Sequence, residues 1–236
     1  MKLGIMQPYF FPYIGHFQLI KHVDMWVVFD DVQYIRHGWI NRNRILHPSE
    51  GWQYIGFPVS KKSYKQEIKN VKISNGMDWR KKILNQLQHY KNKAICYETT
   101  MDIINDSIKL ETDNISELNM NIMKNVCEYL DIDTRFIISS QASFNYDSIE
   151  NAGDWALEIS SQLGANEYIN PINGKQLFSE EKFNNSGIKL SFFLPNNIEY
   201  NQIGLRDFIS HLSIIDTMMF CSKDEIKDML NEYEVI

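Results

Sequence analysis

LGIMQPYFFPYIGHFQLI, residues 3–20, decides how the rest of the chain is read. Its first four residues, 3–6, form a short apolar run that reads as a buried strand. A loop with prolines near both ends follows over 7–13. Over 14–22 the apolar residues Ile14, Phe17, Leu19 and Ile20 fall at helical spacing. Strand, tight loop and helix make the phosphate-binding unit of doubly wound α/β proteins. In that unit the helix start offers free N–H groups and a partial positive charge to an anion. Gly15 would let a ligand or the strand approach closely, and His16 would stand in the first turn, facing the same site.

Working outward, DMWVVFDD over 24–31 is the second strand candidate. Its centre, 26–29, is continuously apolar, as a strand covered on both faces requires. Strand, short helix and strand imply a right-handed crossover into a parallel pair. Both strands then end on one sheet edge, which sets Gln7 and Tyr9 beside Asp30 and Asp31 where such folds bind ligands. Two adjacent carboxylates there suit a ribose, a substrate ammonium or a metal, and they equally suit capping of the next turn.

The next stretch, VQYIRHGWINRNRIL over 32–46, is dense in polar and aromatic residues. If 39–45 is extended, Trp39, Asn41 and Asn43 share one face, and Ile40, Arg42 and Arg44 the other. Arginine offers a planar fork for phosphate or carboxylate, and asparagine suits sugar hydroxyls. A further strand is expected over 52–59, with Lys61, Lys62 and Lys65 in a basic loop after it. Helices are expected over 78–90 and 114–130, the second opened by Asn114 and Glu117 at capping-box spacing. Strands over 135–139, 167–170 and 188–194 alternate with a helix over 151–163 that Gly164 stops. Lys175, in the loop after the strand at 167–170, could reach a phosphate. An apolar element at 212–220 and a charged helix from Lys223 close the chain. The fold class is therefore α/β: a central mainly parallel sheet, Rossmann-like in its first half, with additional helices. One domain spans 1–236, with the helical section at about 76–131 as an insertion.

The formal net charge of −6 argues against a general nucleic-acid binder, and no apolar run is long enough to span a bilayer. Hydrophobic residues at 44% and charged residues at 23% are those of a globular chain. The three cysteines form no CxxC motif and read as buried thiols of a cytoplasmic protein. The scattered Cys and His show no metal-ligand spacing, and no Ser-His-Asp or Cys-His set emerges that would favour covalent catalysis. The composition is compatible with a homo-oligomer.

YIGH, residues 13–16, is similar to the HxGH motif of the nucleotidyltransferase-like superfamily, which includes class I aminoacyl-tRNA synthetases and pantothenate synthetase. There the motif follows the first strand and binds a triphosphate; here Tyr13 stands where the first histidine belongs. A closer resemblance runs along nearly the whole chain. QPYFFPYIGHFQLI (7–20), FDD (29–31), WINRNRI (39–45), GANEYINP (164–171) and LSIID (212–216) resemble the WbqC-like family of bacterial surface-polysaccharide gene clusters. That resemblance implies a cytoplasmic enzyme of O-antigen or related glycan biosynthesis, transferring glycine or a similar acyl unit onto a nucleotide-linked amino sugar. A non-catalytic nucleotide-sugar binding subunit and a nucleotidyltransferase are the rival readings.

On the favoured reading Asp30 accepts or orients the sugar amine's proton, and Arg42 or Arg44 holds the diphosphate. The 7–16 loop, with Gln7, Tyr9, Gly15 and His16, holds a second anionic group. Gln7, His16, Asp30, Asn41 and Arg42 are expected to converge on one cleft, with Asp31, Asn43 and Lys175 nearby. If YIGH works as its look-alikes do, ATP and Mg²⁺ adenylate the acid before transfer.

Overall fold

A computed structural model describes residues 1–60, 65–202 and 207–236. Of the basic loop expected after the second hairpin strand, Lys61 and Lys62 lie outside the described residues. The first strand, β1 (Lys2–Met6), leads through the Gln7–Tyr13 loop into α1 (Ile14–His22) and on to β2 (Met25–Val28). The two strands pair in parallel, with Gly4 opposite Trp26 and Met6 opposite Val28. Glycine is required at position 4, because a Cβ there would run into the Trp26 ring.

β3 (Arg42–Leu46) and β4 (Trp52–Gly56) then form a separate antiparallel hairpin. Three helices follow: α2 (Trp79–Gln86), α3 (Tyr97–Ile108) and α4 (Ile115–Tyr129). The rest of the chain runs β5 (Arg135–Ile138), α5 (Asp154–Gln162), β6 (Glu167–Pro171), α6 (Glu180–Asn185), β7 (Lys189–Pro195), α7 (Ile214–Phe220), α8 (Lys223–Met229) and β8 (Tyr233–Val235).

The six-stranded sheet has the order β5-β2-β1-β6-β7-β8. All of its pairings are parallel except that of β8 with β7. Counted by their order in the chain, the parallel strands run 3-2-1-4-5, the doubly wound order. The expected parallel α/β architecture is therefore present. In β2, Trp26 and Val28 enter the core shared with α1, the hairpin and α2–α4, while Met25 and Val27 enter the core under α5 and α6. Burial on both faces explains the uninterrupted apolar runs. The helical section at 76–131 packs through Trp79, Ile83, Ile104 and Leu118 into the same core as Phe10, Phe17 and Trp26.

Several local expectations change. The helix expected over 78–90 ends earlier, at Gln86, and tightens into a 3₁₀ turn over Leu87–Tyr90, with Asp78 capping its start. Asn114 caps α4 by accepting from the Ser116 and Glu117 N–H groups, but the Glu117 carboxylate accepts from the Thr112 hydroxyl instead of completing a capping box. Helices α3 and α6 and strand β8 were not expected. The buried stripe of α3 is interrupted by the polar Thr100 and Ser107, α6 has a single buried residue, Phe183, and β8 has three residues. None of the described residues forms a helix long and apolar enough to cross a membrane.

Candidate functional site

The strand order reverses between β1 and β6, so the loops leaving their carboxyl ends diverge and open a crevice. A pocket of about 510 Å³ occupies this place. The loop after β1 supplies Tyr9, Pro12 and Tyr13, and the segment after β6 supplies Ile172 and Asn173. The end of β7 adds Phe193 to Pro195, β3 adds Asn43 and Arg44, the segment before it adds Trp39, and His211 closes the rim.

The Gln7–Tyr13 loop is held in a conformation it would not adopt alone. Phe11 has φ of 38°, in the left-handed region that disfavours bulky side chains. Its ring is wholly buried, and its carbonyl accepts hydrogen bonds from the Asn43 side-chain amide at 2.9 Å and the Ser213 hydroxyl at 2.7 Å. The same Asn43 amide donates to the Phe10 carbonyl at 3.0 Å, and its oxygen accepts from the Arg44 N–H. The Phe10 N–H donates to the Trp39 carbonyl, and the Ile214 N–H to the Pro12 carbonyl. Loop, hairpin and α7 are thus tied together, and Tyr9 and Tyr13 are left lining the cavity. At Gly15 a Cβ would collide with the Tyr13 ring, so this glycine lets Tyr13 fold back over the helix start.

Among the described residues Arg44 is the cation of this pocket. Its guanidinium lies 5.5 Å from the Trp39 ring centre and 5.2 Å from that of Trp52, and donates to the His211 carbonyl at 3.2 Å. Among the described residues its buried Nε has no partner and no carboxylate pairs with the guanidinium. The lining contains no aspartate or glutamate. A mainly apolar, aromatic-walled cavity with an arginine in its lining favours an anionic ligand carrying a ring. Burial raises the pKa of Tyr9, and burial together with Tyr9 raises that of Tyr13, so both remain phenols able to donate a hydrogen bond.

The expected convergence of Gln7, His16, Asp30, Asn41 and Arg42 on one cleft does not occur. Gln7 is half-buried just after β1 and is not in the pocket lining. His16 is buried behind the loop, its ring 4.9 Å from that of Trp26 and 5.5 Å from that of Tyr9. Burial lowers its pKa from 6.5 to about 3, so the imidazole is neutral, and its Nε2 has no partner among the described residues. The helical phase that put His16 in the first turn also turns it onto the sheet.

Asp30 is wholly buried at the end of β2. It accepts from the Ser139 hydroxyl at 3.1 Å, the Ser140 N–H at 3.1 Å and the Ser140 hydroxyl at 3.0 Å, which ties β2 to the segment after β5. Asp31 pairs with Lys69 at 3.0 Å and accepts from the Tyr146 hydroxyl at 2.8 Å. Asn41 accepts from the Tyr34 hydroxyl and donates to the Phe57 carbonyl. Arg42 stacks over Tyr54 at 3.9 Å and donates to the carbonyls of His37 and Gly38, facing a different groove of about 270 Å³. Lys175 is exposed on the 3₁₀ turn after β6, its amine 5.4 Å from the Phe192 ring centre. Of the residues singled out in the sequence, Tyr9, Asn43 and Arg44 meet in the pocket.

His211 and Asn173 line the pocket without having been anticipated, since neither belongs to a periodic pattern or motif. In α7, Ser213 caps the helix start and binds the Phe11 carbonyl. Asp216, in the first turn, is buried and accepts from Tyr90, Tyr200 and Gln202. Burial raises the Asp216 pKa against the pull of those bonds.

For ATP bound as in HxGH proteins, the motif histidine would have to reach the phosphates. Neither Tyr13, folded over Gly15, nor the buried His16 forms that grip, and no step through ATP follows from this geometry. Among the described residues no group of three or more His, Cys, Asp or Glu is placed to hold a metal ion.

The family model described as "WbqC-like protein family" matches residues 7–228. A protein of Mycobacterium tuberculosis (strain ATCC 25618 / H37Rv), described as uncharacterized protein Rv1507c, is 31% identical over 195 residues, covering 81% of each chain. No solved structure matches the chain.

Proposed function

Since the chain belongs to the WbqC-like protein family, we propose that it acts in surface-polysaccharide biosynthesis, binding a nucleotide-linked amino sugar in the switch-point pocket and acylating its amine. The observation that carries this reading is Arg44: a guanidinium without a carboxylate partner among the described residues, between aromatic rings, in a pocket whose lining holds no acid. Its fork suits the diphosphate. The rings of Tyr9, Tyr13 and Trp39 suit a base or a sugar face.

In the transfer the neutral amine attacks the acyl carbonyl, a new amide bond forms, and the donor's leaving group departs. The amine proton needs an acceptor. Asp30 is saturated by Ser139 and Ser140, so His211 at the rim is the group assigned this task. Much of the acceleration comes from holding two substrates together.

Mass spectrometry of products tests the proposal. The protein is incubated with nucleotide-linked amino sugars and amino-acid or acyl donors, with and without ATP and Mg²⁺. An acylated sugar supports the reading, and AMP with pyrophosphate would add acid activation to it. Nucleotide-sugar binding without any product would instead make the protein a binding subunit.

A further inference from the structure

A second, smaller pocket of about 130 Å³ adjoins the first and shares Tyr13, Pro195 and His211 with it. It lies at the start of α1, lined by Ile14 and Gly15. Helix geometry leaves the N–H groups of these first residues without partners inside α1. Tyr13 supplies no side-chain cap, and the first turn holds no acidic residue. The site therefore offers N–H donors and the positive end of the helix dipole.

Gln18, one turn further along, also lines this pocket and is wholly buried. Its amide nitrogen donates to the carbonyls of Met229 at 2.7 Å and Glu232 at 2.9 Å. The Glu232 carbonyl also accepts from the N–H of Asn196, another lining residue, which fixes the Gln18 amide against this wall. With the nitrogen so committed, the orientation of the amide is set, and Oε1 is left buried with no partner among the described residues. A buried acceptor of this kind calls for a donor. A bare anion at the helix start would not supply one.

We propose that this second pocket binds a short carboxylic acid whose α-substituent donates a hydrogen bond, an α-amino or α-hydroxy acid, with the carboxylate on the Ile14 and Gly15 N–H groups and the substituent on Gln18 Oε1. At about 130 Å³ against about 510 Å³ for the first pocket, the space suits a short acid better than a nucleotide sugar. Its position against the Arg44 pocket makes it the donor subsite; that role, though not the binding itself, rests on the proposed function.

The test is a ¹⁵N NMR titration of the whole chain with glycine, glycolate and acetate, followed at the Ile14 and Gly15 amides. Glycine or glycolate is expected to shift both amides and to bind at least about fivefold more tightly than acetate, the effect of one satisfied buried acceptor. The arm that binds more tightly names the α-substituent. Asn197→Asp, on the exposed rim, should weaken that ligand several-fold by placing a carboxylate beside its own. Equal affinity for acetate, or no shift at Ile14 and Gly15 with any of the three acids, overturns the proposal. A nucleotide sugar titrated into the same sample reads the Arg44 pocket separately, so failure of one site is distinguishable from failure of the other.

Discussion

Two polar clusters stand at the carboxyl edge of the sheet, and they have opposite characters. Beyond β2 and β5, Asp30 and Asp31 meet Ser139, Ser140, Tyr146 and Lys69, and each carboxylate has its donors. Across the switch point, Arg44 stands among aromatic rings, and among the described residues its guanidinium has one backbone hydrogen bond and no acid. In the sequence both clusters look chemical, since each sets charged residues beside the end of a predicted strand. The distinction lies in satisfaction. A buried charge whose partners are all supplied by the chain holds the chain together, whereas a charge left short of partners inside a cavity is available to a ligand.

The largest break in this comparison should come from Asp30→Ala. It leaves the two serine hydroxyls and the Ser140 N–H without their acceptor, and urea unfolding should show a loss of about 3 kcal/mol or more. Nucleotide-sugar affinity of the fraction that folds should be unchanged. Tyr146→Phe removes one donor from Asp31 and should cost about 1.5 kcal/mol in the same measurement, again without an effect on binding.

His16 sharpens the contrast through pH. Its folded pKa of about 3 lies below its ordinary 6.5, so between those values the unfolded chain binds the proton and the folded chain does not. Stability is then unaffected by this group above pH 6.5 and falls as pH drops toward 3, by about 1.4 kcal/mol per pH unit at most. Asp216, whose pKa burial raises, acts in the opposite sense, so the group is isolated by difference. Stability curves of wild type and His16→Phe should keep a constant separation above pH 6.5 and change it below, the wild type falling faster. Curves that stay parallel down to pH 3 would mean that His16 reaches solvent or a ligand. The smallest effect belongs to Arg42→Ala: its guanidinium is spent on Tyr54 and two carbonyls, and nucleotide-sugar affinity should change by less than about threefold, a few tenths of a kcal/mol.

The first two strands of the sheet were legible in the sequence because they are buried on both faces and so read as unbroken apolar runs on either side of a helical pattern. The parallel pairing of β1 with β2 followed from the helix between them. Helix α3 was not legible, since Thr100 and Ser107 occupy buried positions that the periodicity needs filled by apolar residues. The site was half legible. Arg42 and Arg44 point to the same face of β3, and no local signal tells them apart. What separates them is the docking of the hairpin onto the loop after β1, through Phe10 and Trp39 and through Asn43, contacts made far along the chain. The partners of Asp30 lie more than a hundred residues away, and the Trp26 ring that covers His16 sits on the next strand.

The central claim is that the switch-point pocket takes its ligand through Arg44. Calorimetric titration of a nucleotide-linked amino sugar into wild type, Arg44→Ala and Arg42→Ala, each checked for folding by circular dichroism, tests it most directly. The account predicts that Arg44→Ala binds roughly ten- to a hundredfold more weakly, the loss of about 1.5–3 kcal/mol expected for a charged hydrogen bond, while Arg42→Ala binds nearly as wild type. A folded Arg44→Ala protein that binds as wild type, with affinity lost in Arg42→Ala instead, would contradict it.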